Sequence, residues 1–115
     1  MEIRKVYEKL GEDYDKILER LEDEEWIEKY LRQFAQTDHW RPVEDAVNHR
    51  DMEACYEAVH NLKGLSLNMG FDRLAACATE FCDILKQKKA LNEVLDIYDT
   101  TLTEYLKVEQ VLTGI

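Results

Sequence analysis

Residues 51–70 read DMEACYEAVHNLKGLSLNMG. Within them Met52, Cys55, Val59, Leu62, Ser66 and Met69 recur at alternating steps of three and four, the period of one buried helix face. The spacing predicts a helix over about 51–69, capped by Asp51 at its start and ended by Gly70 in a left-handed conformation. His60 follows Val59 and therefore stands about 100° off the centre of the apolar stripe. Its imidazole is expected to be reachable from water. Lys63 and Gly64, three and four residues on, are its neighbours on the helix surface. An exposed imidazole beside a cation and a missing side chain suits the carriage of a phosphoryl group.

The rest of the chain repeats the helical period. Helices are expected at about 2–9, 13–21, 23–36, 42–49, 71–88 and 91–113, with Asp13 and Asp23 as caps. Trp26, Ile27, Tyr30, Leu31 and Phe34 are read as the apolar face of the third helix. The stretch Thr37 to Pro42 breaks it, and Pro42 suits the first turn of the next. Leu74, Cys77, Ala78, Phe81, Ile84 and Leu85 are expected inward on the sixth helix. On the last helix the inward set is Leu91, Val94, Leu95, Tyr98, Leu102, Tyr105, Leu106 and Val108. No strand-like alternation, repeat or low-complexity segment interrupts this pattern. The fold class predicted is all-α: an antiparallel up-and-down four-helix bundle with short N-terminal capping helices, residues 1–115 forming one domain.

Composition sets the outer limits. The chain has 115 residues, one proline and four glycines, which favours long helices with few turns. No run approaches the ~20 apolar residues that span a bilayer, and Met1 to Lys5 leads into no apolar signal region. A cytoplasmic protein without a membrane partner is the expectation. The net charge of −10 disfavours nucleic acid, whose binding rests on phosphate neutralisation. Cys55, Cys77 and Cys82 are odd in number and carry no CxxC spacing, which argues against a disulfide framework and against a metal site. His39, in a break beside Trp40, reads as a loop histidine, and His49 as a cation closing a short helix.

His60, Leu62, Lys63, Gly64 and Gly70 together resemble the signature of the histidine-containing phosphotransfer (HPt) domain family. That signature has an apolar residue two positions after the histidine, Lys-Gly at three and four, and a second glycine at ten. The likeness extends to Leu74, Ala78 and Phe81 downstream and to Phe34 and Asp51 upstream, about two-thirds of the chain. The resemblance implies the same helical bundle, with His60 as the phosphorylated residue. It also implies a response-regulator receiver domain, free or within a hybrid sensor kinase, as partner, with Mg²⁺ on that partner and no cofactor on this chain. Many members carry Glu or Gln twenty-two residues after the histidine, where a polar group orients the imidazole. Here Cys82 stands at that position, and a thiol is a weak hydrogen-bond partner. Gln33 is a candidate substitute. Leu65 and Leu67 stand where small residues are frequent.

Transfer to histidine needs a neutral ring nitrogen that can approach phosphorus in line, followed by stabilisation of the phosphoryl oxygens. Lys63 is read as the phosphate-stabilising cation, Gly64 as the gap through which a partner approaches, and Gly70 as the helix end. Tyr56 and Leu67, at −4 and +7 from His60, extend the same stripe and are candidate docking residues. The reading is a phosphocarrier of a two-component phosphorelay, without independent catalytic activity and expected to be a monomer. Two alternatives stay open: an HPt-like interaction module that binds without transfer, and a small enzyme pairing a cysteine with a histidine.

Overall fold

The computed structural model describes residues Glu2 to Thr113. Among these residues there are seven helices and no strand: α1 (Ile3–Leu10), α2 (Tyr14–Leu21), α3 (Glu24–Gln36), α4 (Arg41–Asn48), α5 (Met52–Met69), α6 (Asp72–Lys86) and α7 (Leu91–Leu112). The starts of α2 to α5 follow from short polar side chains that accept from otherwise unpaired backbone donors. Asp13 accepts from the Lys16 N–H, Asp23 from those of Glu25 and Trp26, and Asp51 from that of Ala54. For α4 the cap comes from three residues before the helix. Asp38 accepts from the N–H groups of Trp40 and Arg41, each at 3.1 Å, and Pro42 occupies the first turn.

α5 packs most extensively on α6, and α6 on α7; α3 reaches both α5 and α7, and α4 lies along α5. The all-α bundle is therefore formed by α3, α5, α6 and α7, with α4 extending the α3 side. One buried cluster joins side chains from all seven helices.

The short N-terminal helices close the end of the bundle where α5 turns into α6. A helix leaves its last four carbonyls without intrahelical donors, and here all four are supplied. The Phe71 N–H reaches Ser66 O, and the Gly70 N–H reaches Leu67 O. Arg20 donates to the Leu67 and Asn68 carbonyls, each at 2.8 Å. The buried Tyr7 hydroxyl donates to Met69 O at 2.7 Å. Burial, the largest influence, raises the Tyr7 pKa and keeps the phenol a donor.

Several expected faces are redrawn. In α3, Ile27, Leu31 and Phe34 are buried, whereas Tyr30 is exposed and Trp26 half-buried. These two rings cover each other at 3.9 Å on the flank of the helix. In α7, Leu91, Leu95 and Leu106 are exposed, and the buried line runs instead through Val94, Ile97, Thr101, Tyr105, Val108 and Leu112. Thr101 is accommodated there because its hydroxyl donates to the Ile97 carbonyl at 2.7 Å. In α6, Cys77 and Ile84 are half-buried, while Ala75 and Cys82 lie fully inside. Phe71 precedes α6 as its N-cap and is itself buried.

Candidate functional site

α5 buries Cys55, Val59, Leu62, Ser66 and Met69, the stripe legible in its sequence, with Met52 half-buried at its first turn. His60 is accordingly exposed, and Lys63 is half-buried beside it. Among the described residues the His60 ring makes no hydrogen bond and Lys63 no ion pair. Both polar groups are free to meet an incoming anion.

One ring constrains the imidazole. Tyr56, one turn earlier, stacks on it with centroids 5.8 Å apart and planes 12° apart. The Lys86 ammonium sits 5.8 Å from the Tyr56 ring centroid, in the range of a cation–π contact. Lys86 did not emerge from the sequence. The signal that could have found it is its place one helical turn beyond Cys82, which puts it on the same face of α6.

The two glycines of the motif do different work. A Cβ at Gly64 would meet nothing within 4 Å, so no packing among the described residues requires a glycine there. Gly70 has φ +76°, and a Cβ there would overlap Cδ1 and Cγ1 of Ile17. Its lack of a side chain ends α5 and lets α2 close against the turn. Leu67 is 45% exposed on the outer face of α5, whereas Tyr56 is half-buried.

Cys82 is buried from α6. Burial raises its thiol pKa, with the positive charge of Lys63 acting in the opposite direction. Cys82 makes no hydrogen bond to His60 among the described residues. Nor does Gln33, which is exposed on α3 and lines a cavity of about 250 Å³ with Leu65, Asn68 and Met69. These α5 residues lie five to nine positions beyond His60, roughly 7–14 Å along the helix. Gln33 thus approaches α5 well beyond the imidazole.

The remaining candidates separate from this site. His39 is in the α3–α4 link but is not a free loop residue. It is half-buried with its ring 4.3 Å from that of Phe34, and burial lowers its pKa. His49 caps the end of α4, its Nδ1 2.7 Å from the Asp45 carbonyl oxygen. Burial raises the pKa of all three thiols, that of Cys55 to about 12. Burial thus disfavours the thiolate at each of the three. No cluster of three or more metal-ligating side chains occurs among the described residues. No helix among them is long and apolar enough to cross a membrane.

A family model described as "Hpt domain" matches residues 6–111, nearly the whole chain. No curated protein and no solved structure matches at a significant level.

Proposed function

This chain belongs to the Hpt domain family, and from that premise we propose that it is a histidine phosphocarrier of a two-component phosphorelay. Hpt domains in general are phosphocarriers, not catalysts. Here a His60 ring nitrogen attacks the phosphorus of an aspartyl phosphate on a receiver domain. A P–N bond forms, the acyl P–O bond breaks, and the aspartate leaves as carboxylate. The reverse step, onto another such aspartate, returns His60 to its starting state. Lys63 attracts the phosphoryl oxygens, and Mg²⁺ resides on the receiver.

The observation that carries this reading is Gly64. A glycine inside an 18-residue helix costs roughly 0.5–1 kcal/mol relative to alanine, and no contact among the described residues asks for it. The open space lies one turn from an exposed histidine, where a receiver must bring phosphorus within bonding distance. The test is transfer of label from phosphorylated receiver domains to the purified chain. Acid-labile, base-stable label that is lost in His60→Gln is the expected outcome. A folded chain that takes no label from any competent receiver overturns it.

A second reading, an HPt-like interaction module that binds a receiver without transfer, draws on Cys82. With a thiol in the place of a carboxylate or amide, no polar side chain among the described residues hydrogen-bonds the His60 ring. Binding without labelling would favour it.

A further inference from the structure

Between the first half of α5, the end of α6 and the start of α7 runs an open groove of about 620 Å³. Its apolar lining is Met52, Tyr56, Leu85 and Val94. Its rim carries Lys86, Lys88 and Lys89, opposed by the single carboxylate of Glu53. Three of the chain's fifteen basic residues thus gather within four positions, on a molecule whose net charge is −10. All three are exposed, and none forms an ion pair among the described residues. The left-handed turn at Lys88, with φ +52°, ends α6 there. The helix dipole accounts for a cation in the last turn of α6; it does not account for the apolar floor beneath the lysines.

The groove is continuous with the phosphotransfer surface. Tyr56 lines it and also stacks on the His60 ring, and Lys86 bridges the two by lying near the Tyr56 ring. An occupant that extends from the groove to His60 is therefore an element of whatever delivers the phosphoryl group.

We propose that this groove is a second contact for the phosphoryl donor and takes an acidic amphipathic helix of that protein. Apolar side chains of the helix pack against the half-buried Met52 and Tyr56, over a floor formed by the buried Leu85 and Val94, and its carboxylates pair with Lys86, Lys88 and Lys89. The inference rests on the phosphocarrier reading for the identity of the donor. On an acidic chain such a local cationic rim selects the orientation of an acidic partner and raises the rate of productive encounter. A basic partner would meet like charge at the groove and is disfavoured there.

The experiment has two arms. In the first, the ¹⁵N-labelled chain is titrated with a designed helical peptide carrying leucine on one face and glutamate on the other, beside a scrambled peptide of equal composition. Resonances of Met52, Tyr56, Lys86, Lys88, Lys89 and Val94 are expected to shift with the amphipathic peptide only, and less in Lys88→Glu/Lys89→Glu. In the second, transfer from a phosphorylated receiver is followed over a range of receiver concentrations. The half-saturating concentration is expected to rise roughly tenfold in Lys88→Glu/Lys89→Glu. Lys16→Glu/Lys29→Glu, with the same change in net charge elsewhere, is expected to resemble the wild type.

Equal shifts with both peptides, shifts confined to other residues, or an unchanged half-saturating concentration in the groove variant would overturn the proposal while transfer itself persists. Failure of the wild-type chain to accept label, with the peptide still bound, would instead overturn the phosphocarrier reading and with it the donor as occupant. Circular dichroism establishes that each variant is folded.

Discussion

The Tyr56 and His60 rings stack one helical turn apart, 5.8 Å between centroids and 12° between planes. The imidazole makes no hydrogen bond among the described residues, and the stacked ring is its aromatic neighbour there. Aromatic pairs contribute about 0.5–1.5 kcal/mol beyond area burial. Tyr56→Ala is therefore expected to slow transfer to His60 roughly three- to tenfold, and Tyr56→Phe, which keeps the ring, to leave it near the wild-type rate. Single-turnover labelling at saturating receiver measures both. Equal losses in the two variants would assign the effect to the hydroxyl.

Gly64→Ala separates function from stability. The substituted helix gains roughly 0.5–1 kcal/mol, because alanine is the better helix former and its Cβ enters open space. Urea denaturation is expected to show the higher midpoint. Transfer is expected to fall roughly tenfold or more, since small misplacements of reacting groups are costly. An alanine variant that is stabilised and transfers normally would remove the role given to this glycine.

Gly70→Ala acts on the fold. The backbone there is left-handed, and the new Cβ meets Ile17. Strain and overpacking together are expected to destabilise the chain by about 2–4 kcal/mol. Ile17→Ala in the same chain removes the obstacle. The double variant should therefore lose less than the sum of the single losses, with urea unfolding of the four proteins as the measure.

Tyr7→Phe removes the donor to the buried Met69 carbonyl and is expected to cost about 1–3 kcal/mol. Its effect on transfer should be small, because the contact lies at the far end of α5 from His60.

Alkaline pH should destabilise the chain. Cys55 has its pKa raised from 9.0 to about 12 by burial, with smaller contributions from Cys82 and Asp51. The unfolded thiol loses its proton first, so the folded state binds more protons above pH 9. Stability from this group is fully present below about pH 9 and is lost as pH rises towards about 12. Chemical denaturation from pH 8 to 11 should show a falling midpoint, and Cys55→Ala a shallower fall.

The helices and the outward direction of His60 were legible because α5 keeps a regular three-four spacing over its whole length. The caps at Asp13, Asp23 and Asp51 were legible from local chemistry. The true face of α7 was not. Its leucines fall on a flank adjoining the core, and the buried line includes Thr101, whose polarity is satisfied within its own helix. Trp26 and Tyr30 were assigned inward on hydrophobicity, yet they cover each other on the flank of α3. In the site, spacing places Tyr56 on the His60 stripe and Lys86 on the Cys82 face, but the ring stack and the meeting of Lys86 with Tyr56 depend on side-chain direction and on how α6 lies against α5. Gln33 looked available by residue type, and only the packing of α3 places it beyond the imidazole.

The most direct test of the central claim is to locate the phosphoryl group. The chain is incubated with a phosphorylated receiver domain and Mg²⁺, then fragmented under alkaline conditions that preserve phosphohistidine. Mass spectrometry is expected to place the modification on His60. Modification at His39 or His49 instead, or an unmodified chain while the same phosphorylated receiver labels a control Hpt protein in a parallel tube, would contradict it.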